Sequence, residues 1–423
     1  MRTSYALRAR SAILSPVVRF FDGIFSAPRW LALWAAQLGF MLDAMDVLLY
    51  VFALTTLKHE FGWTNAQAGL VSSVTLIASA FGGIAAGIIS DRIGRRRTLI
   101  YTILLYSFAS AGTASAGGIG ALIFWRALVG LGLGGEWSAG ATLVAESWPA
   151  AHRAKAVSFM QSGWALGYMA AAGLSAVILP TLGWRALFLA GVLPALVTLF
   201  IRRKVTEPEV WTNSHERAPF TGIFQPPYAR RTFLATVLAT SVLFAYWGLF
   251  TWLPGFLSSP VSQGGAGMDI VKTSGFVFAV QIGAFFGYLC FGVLADRLGR
   301  RPAFALYVAA AALLTPLYGL APGFSPVALF LLGPCVGFFG TGFFSLFGAM
   351  LAELYPTAIR GAGQGFVYNF GRGLSALAPL AVGSLADRHG LGAALGLNSA
   401  FFLAAAALVF LLPETRNTEL ESV

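Results

Sequence analysis

The sequence predicts an all-α membrane protein of twelve transmembrane helices in two six-helix halves. Three observations predict it. Of the 423 residues, 57% are hydrophobic and only 11% are charged, where a soluble domain carries about 25% charged residues. Apolar windows of the ~20 residues needed to cross a bilayer core follow one another along the whole chain. Two polar motifs each recur once at nearly the same offset, as duplication of a half requires.

The spans are placed at 31–57, 68–89, 98–118, 121–146, 154–177, 184–201, 232–256, 273–294, 302–319, 326–352, 361–383 and 392–412. Residues 1–30 form an N-terminal tail, 31–201 the first half, 202–231 a linker, 232–412 the second half and 413–423 a short tail. The N-terminal segment contains Arg2, Arg8, Arg10 and Arg19 between short apolar stretches, with no clear cleavage site. It is expected to be a retained cytoplasmic tail, not a signal peptide. The linker contains Pro208, Pro219, Pro226 and Pro227 with mixed charge. Its stretch Glu207, Pro208, Glu209 is expected to cap the end of the sixth span.

An even number of spans puts both termini on one side. Basic residues crowd the connections between spans two and three, four and five, and eight and nine, together with the linker and Arg360. Lys58, Lys272 and Arg388 fall on the opposite face. The positive-inside rule makes the crowded side cytoplasmic.

In the first repeat, Gly87, Asp91, Arg92, Gly94, Arg95 and Arg96 recur as Gly292, Asp296, Arg297, Gly299, Arg300 and Arg301, an offset of 205. In the second, Glu146, Pro149 and Arg153 recur as Glu353, Pro356 and Arg360, an offset of 207. A third fragment, Gly383, Asp387, Arg388 and Gly390, is incomplete and falls on the other face. The glycines permit a tight turn between helices. An aspartate at a helix end pairs with arginines or with the exposed amides of a neighbouring helix. Such contacts latch one side of a transporter in one state and release it in the other. The simpler alternative is that the arginines only set topology.

Ionisable residues inside spans are costly and normally face a partner or a wet cavity. Asp43 and Asp46 sit mid-way along the first span, three apart and near one helical face. They are candidates for proton uptake and release, with a helix-packing role for one of them as the alternative. Arg126 opens a series with Gly130, Gly132, Gly134, Gly135 and Glu136 in the fourth span. The glycines suit close packing against another helix. Arg126 and Glu136 are candidates for coupling, or for a buried structural ion pair. Arg372 lies near the middle of the eleventh span without an acid in its own half. It is a candidate for a substrate carboxylate, which guanidinium fits in a bidentate way, or for pairing across the halves with Asp43, Asp46 or Glu136. Tyr368, Asn369, Gln161 and Gln281 are candidate substrate contacts, as are Tyr168, Tyr246 and Trp247.

The formal net charge of +11 does not point to nucleic acid, because the basic residues show neither an aromatic-interleaved stripe nor a recognition-helix pattern. Cys290 and Cys335 are expected to be small buried hydrophobes, not a disulfide. His59, His152, His215 and His389 lie near loops, with no ligand cluster, so no metal is expected. No arrangement of nucleophile and base suggests an enzyme, and no cofactor is expected beyond the proton as coupling ion.

These motifs resemble the major facilitator superfamily across nearly the whole chain. Gly87 to Arg96 with its second copy is specific to that superfamily, and the Arg126 to Glu136 series is similar to the fourth-helix motif it associates with proton coupling. Leu42, Asp43, Ala44, Met45 and Asp46 resemble the helix-one signature of acid:proton symporters. Glu146 to Pro149 and Gly183 to Phe188 resemble the bacterial sialic acid transporter and its relatives, which include monocarboxylate permeases. Aromatic acid:proton symporters are close neighbours. Pro413 to Arg416 is similar to a tail motif of sugar porters. The resemblance implies proton-coupled uptake of a small organic anion, a monocarboxylate or sialate-like acid, by a monomer in the lipid bilayer of a bacterial inner membrane. Arg372 or Arg126 would meet the carboxylate, and Asp43, Asp46 or Glu136 would carry the proton. A proton-driven exporter of neutral or cationic compounds and a non-transporting receptor are the alternatives.

Overall fold

The computed structural model describes residues 28–63, 65–193, 195–196, 205–207, 212, 219–323 and 325–416. Residues 1–27 of the expected N-terminal tail, part of the linker and the end of the C-terminal tail lie outside them, as do residues 194 and 197–201 of the sixth span. The first half contains α1 (Pro28–Phe61), α2 (Asn65–Ile93), α3 (Arg95–Thr113), α4 (Ile119–Ser147) and α5 (Ala150–Leu189). The second contains α6 (Tyr228–Phe250), α7 (Leu253–Ser258), α8 (Ile270–Leu298), α9 (Arg300–Leu320), α10 (Pro326–Thr341), α11 (Ser345–Leu354), α12 (Arg360–Ser375), α13 (Ala378–His389), α14 (Leu391–Leu395) and α15 (Leu397–Leu408).

Helices are the outcome that lipid demands, since a helix satisfies its backbone polar groups internally. Nine helical stretches among the described residues are long and apolar enough to cross a membrane. The third and eleventh spans are less apolar, because α3 opens on Arg95, Arg96 and Arg97 and α12 carries Arg360 and Arg372. The fifth and sixth spans run together in α5 across a kink at Gly183, which has φ +75°. The third span ends at Thr113, earlier than expected. Four spans expected to be continuous are interrupted: the seventh between α6 and α7, the tenth by a 3-10 turn at Gly342–Phe344, the eleventh between α12 and α13, and the twelfth at Gly396.

Large apolar side chains cover the outside of the bundle; Phe81, Phe108 and Leu313 are each 68% exposed. Cys290 and Cys335 are exposed there too, contrary to the expectation of burial. In a bilayer an apolar side chain gains little by moving from lipid to protein, so hydrophobicity does not send it inward. The interior holds small residues and polar groups beside large rings such as Trp137, Phe188 and Phe347.

Within the first half α1 packs on α5, and α4 packs on both α2 and α3. In the second, α12 and α15 pack on α6, α10 on α8, and α15 on α9. The halves meet along α2 with α12 and α5 with α8. The glycine series of α4 serves two neighbours rather than one. Gly130 and Gly134 approach the Thr75 and Ser79 carbonyls of α2, and Gly132 and Gly135 face Thr102 on α3.

Gly94 and Gly299 each join two helices in a single residue, with φ of +107° and +103°. Only glycine adopts that conformation without strain. Gly390 has φ +80° between α13 and α14 at the other end of the bundle. The incomplete third fragment therefore keeps the turn of the repeat. Part of the linker is built into the fold: Ile223 is buried, its carbonyl accepts from Thr232 Oγ1 at 2.8 Å, and Phe220 and Phe224 pack on Phe366.

Candidate functional site

The two repeated motifs come together at the arginine-rich end. The Glu146 carboxylate accepts from Arg95 of its own half (Nε, 3.0 Å) and from Arg360 of the other (Nη1, 2.8 Å). Glu353 does the same in mirror image, with Arg300 (Nη2, 3.4 Å) and Arg153 (Nη1, 3.1 Å). Arg153 and Arg360 also donate to Ala145 and Ala352 carbonyls at the ends of α4 and α11. Asp91 accepts from Arg95 at 2.7 Å and from the Gly361 and Ala362 amides at 3.2 and 2.8 Å. The start of α12 thus supplies backbone donors to a carboxylate, as a helix N-terminus does. Its counterpart Asp296 pairs with Arg300 at 2.8 Å and reaches Lys155 at 3.5 Å. Gly87 lies against Gly361 and Gly365, and Gly292 against Ser158, which lets the halves approach closely here. Arg92 and Arg297 are exposed.

Glu207 corrects an expectation. Its carboxylate accepts from the Arg95 and Arg96 amides at 2.9 and 3.2 Å, so it caps the start of α3 rather than the end of the sixth span. Glu414 does the same for Arg300 and Arg301 at 2.8 and 3.2 Å. A helix start offers unpaired N–H groups and partial positive charge, which a carboxylate satisfies; a helix end offers neither. The pair is 207 residues apart, the offset of the glutamate–arginine motif, a spacing that marks the two as equivalent without saying which helix they cap. Glu207→Ala and Glu414→Ala are each expected to lower stability by about 1 kcal/mol, read as a drop in thermal unfolding temperature of the detergent-purified protein. An unchanged double variant would refute the caps.

Deeper in, two small adjoining cavities lie between the halves. Trp164, Trp247 and Arg372 border both. The first adds Asp43, Thr75 and Ser79 on the side of α1 and α2. The second adds an aromatic wall that includes Phe40, Tyr246, Phe344 and Tyr368, with Gln161. Arg372 reaches Ser79 Oγ at 3.4 Å, and its guanidinium lies 5.0 Å from the Tyr368 ring centre. Tyr368 stacks on Trp137 at 3.7 Å. Trp137 donates to Gln161, whose amide nitrogen donates to the Phe344 carbonyl across the halves at 3.2 Å. Trp164 Nε1 donates to the Tyr246 hydroxyl at 2.6 Å, a second bridge between halves.

The helix-one acids part company. Asp43, Asp46, Arg126 and Glu136 are each at most 1% exposed, so none faces lipid. Asp46 turns into the first half, pairs with Arg126 at 3.7 Å and accepts from the Ser110 hydroxyl. Arg126 also lies 5.4 Å from the Tyr50 ring centre and 5.7 Å from that of Phe188. Asp43 turns instead towards the second half, and its Oδ1 is buried without a hydrogen-bond partner. Three residues on a helix differ by about 60° in direction, enough to separate the two carboxylates. Glu136 packs against Gly39 near Tyr106 and lines neither cavity.

Among the other sequence candidates, Tyr368 and Gln161 line the aromatic cavity. Asn369 packs on Gly83 of α2 and donates to the Gly365 carbonyl at 3.0 Å. Gln281 is buried on α8 and lines neither cavity. Phe40, Trp164 and Phe344 were missed. Their signal is position: an aromatic ring mid-span, away from the interfacial belts where Trp and Tyr ordinarily anchor. In the Gly183 to Phe188 stretch, Trp184 and Arg185 donate to Glu60 at 2.5 and 2.9 Å, tying α1 to the sixth span at the end away from the arginine-rich motifs. The indole N–H of Trp184, with Arg185, holds the Glu60 carboxyl below the usual carboxylate range.

Comparison with known proteins agrees with this architecture. The chain is similar to a "Probable 4-methylmuconolactone transporter" of Cupriavidus pinatubonensis, 36% identical over 92% of each chain. It is 32% identical to a cis,cis-muconate transport protein of Acinetobacter baylyi, over 84% of this chain and 87% of that one. It is 30% identical to the niacin transporter NiaP of the same organism, over 92% and 95%. Its fold is that of the solved proton:xylose symporter XylE, with a TM-score of 0.78 at 20% identity over 94% of this chain and 98% of that one. That match gives the twelve-span, two-half architecture. The model for the Major Facilitator Superfamily matches residues 36–280 and 266–422. The chain therefore belongs to the Major Facilitator Superfamily, whose members transport rather than catalyse.

Proposed function

We propose that the protein takes up a small organic acid together with a proton, by alternating exposure of one central site. The observation that carries this is the placement of Arg372 and Asp43, from opposite halves, on one buried cavity. Arg372 is the group for a substrate carboxylate, since guanidinium binds it with two parallel hydrogen bonds. Asp43 is the proton carrier, because it faces the cavity while Asp46 is held by Arg126 and Ser110. The arginine-rich end is cytoplasmic by the positive-inside rule, with both termini there, in a bacterial inner membrane. The state described is then closed to the cytoplasm by the Glu146–Arg360 and Glu353–Arg153 pairs.

The acid has a flat, apolar body. The rings of Phe40, Trp164, Tyr246, Phe344 and Tyr368 offer stacking faces. Gln161 is engaged already with Trp137 and the Phe344 carbonyl, and Tyr246 with Trp164. Such a wall suits an aromatic or ring-derived acid better than the polyhydroxylated sialates. Relatives named for niacin and benzoate support this choice, although one named for sialic acid is 28% identical. A cationic cargo is disfavoured by Arg372.

The test is uptake into proteoliposomes under an imposed inward proton gradient, with benzoate, nicotinate, lactate, sialic acid and a neutral sugar. Benzoate or nicotinate is expected to accumulate with internal acidification. Arg372→Gln is expected to reduce that uptake by about 100-fold and Arg372→Lys by about tenfold. Failure of every acid with folded, inserted protein, or equal uptake of the sugar, sinks the proposal.

A further inference from the structure

The charges around the central cavities admit a simple count. Among the described residues that line them, Arg372 is the one cationic side chain and Asp43 the one acidic side chain. Asp46 and Arg126 neutralise one another inside the first half, and neither lines a cavity. Glu136 lines neither, and its buried carboxyl, with no cation beside it among the described residues, counts as uncharged. The carboxylates and arginines of the cytoplasmic latch pair with one another. Hydrogen-bonding capacity beyond this pair is uncharged; beside Asp43 it comprises the Thr75 and Ser79 hydroxyls and the indole N–H of Trp247, which is buried without a partner.

From this count, and resting on the organic-acid proposal above, we infer that the cavity accepts one carboxylate and one proton at a time, so that transport is electroneutral and selects monoanions over dianions. With the site empty and Asp43 ionised, the aspartate and Arg372 sum to zero. A proton on Asp43 raises the sum to plus one, and one substrate carboxylate returns it to zero. Both forms that must be enclosed between the halves are therefore neutral. A dicarboxylate with one proton leaves one negative charge away from water, which a buried site tolerates poorly. A second proton has no second acid in the cavity to receive it, and Trp247 contributes a donor without contributing charge. The proton taken up on Asp43 outside is released inside after the acid departs, so charge and protons balance over the cycle.

Two pairs of probes test this in proteoliposomes: benzoate against terephthalate, and nicotinate against cis,cis-muconate. Each is offered under the same inward proton gradient, with and without an inside-negative potassium-diffusion potential of about 100 mV, which shifts a step moving one full charge by up to about 50-fold. The monoanions are expected to enter at initial rates that change less than about twofold with the potential, and the dianions at least about tenfold more slowly. Monoanion uptake with a large potential dependence, or dianion uptake at the monoanion rate, overturns the electroneutral count while leaving acid transport standing. Uptake of none of the four acids by folded protein overturns both proposals.

Discussion

Asp43→Asn is expected to abolish proton-driven accumulation while preserving exchange. With asparagine at 43 the empty cavity holds Arg372 without its counter-charge, and the acid-loaded cavity is neutral. Net uptake needs the empty carrier to return through an enclosed state, which would bury one uncompensated charge. Exchange of external for internal acid needs only the loaded form. Gradient-driven uptake should fall by about 100-fold, and exchange of labelled benzoate against internal benzoate should stay within about tenfold of the parent. Asp46→Asn gives a different signature. It strands Arg126 in the first half, where both residues are at most 1% exposed, so uptake and exchange should fall together with thermal stability. Measuring both activities and the unfolding temperature for each variant separates the two acids. Parallel loss of uptake and exchange in Asp43→Asn, at normal stability, would remove Asp43 as the proton carrier.

The second large effect is expected at the arginine-rich end, the proposed cytoplasmic latch. Glu146 and Glu353 each join an arginine of their own half to one of the other. Replacing both by glutamine weakens the cross-half pairs and leaves the arginines facing neutral amides. Breaking a buried pair costs about 3–5 kcal/mol, more than a hundredfold in an equilibrium constant. Much of that cost falls on the closed state, because opening hydrates the arginines. The double variant should therefore favour the inward-open state. A cysteine introduced at Ala154, beside Gly292 at the interface of the halves, should react with a membrane-impermeant maleimide from the cytoplasmic side at least about tenfold faster in the double variant than in the parent. Cys290 and Cys335, both exposed on the bundle surface, would first be replaced by serine. Unchanged labelling would mean that these carboxylates hold each half together and do not latch the two.

The architecture was legible because a bilayer imposes it. Span length, the crowding of arginines on one side and the repeat offsets follow from solvent and duplication, and each is written in local sequence. The glycines at 94 and 299 were legible for the same reason, since a one-residue connection at positive φ admits little else. The ion-pair cluster proposed as a latch was legible as a set of residues, because its parts recur. Its wiring was not: that Glu146 serves Arg360 rather than the neighbouring Arg153 is a relation between halves. Glu207 and Glu414 were misread or left aside because a cap is defined by the helix it reaches, here more than a hundred residues away.

Sequence alone established which ionisable groups were buried in the membrane, since a charge within an apolar span has few places to go. It left Asp43 and Asp46 equivalent, because three residues apart on one helix is a statement about spacing and not about neighbours. Packing separated them. One carboxylate was turned towards Arg126 and Ser110, and the other towards Arg372 across the cavity. The aromatic wall belongs to the same class of fact. Phe40 and Trp164 come from α1 and α5 and Phe344 from the 3-10 turn of the tenth span, and only the meeting of the two halves makes them one surface.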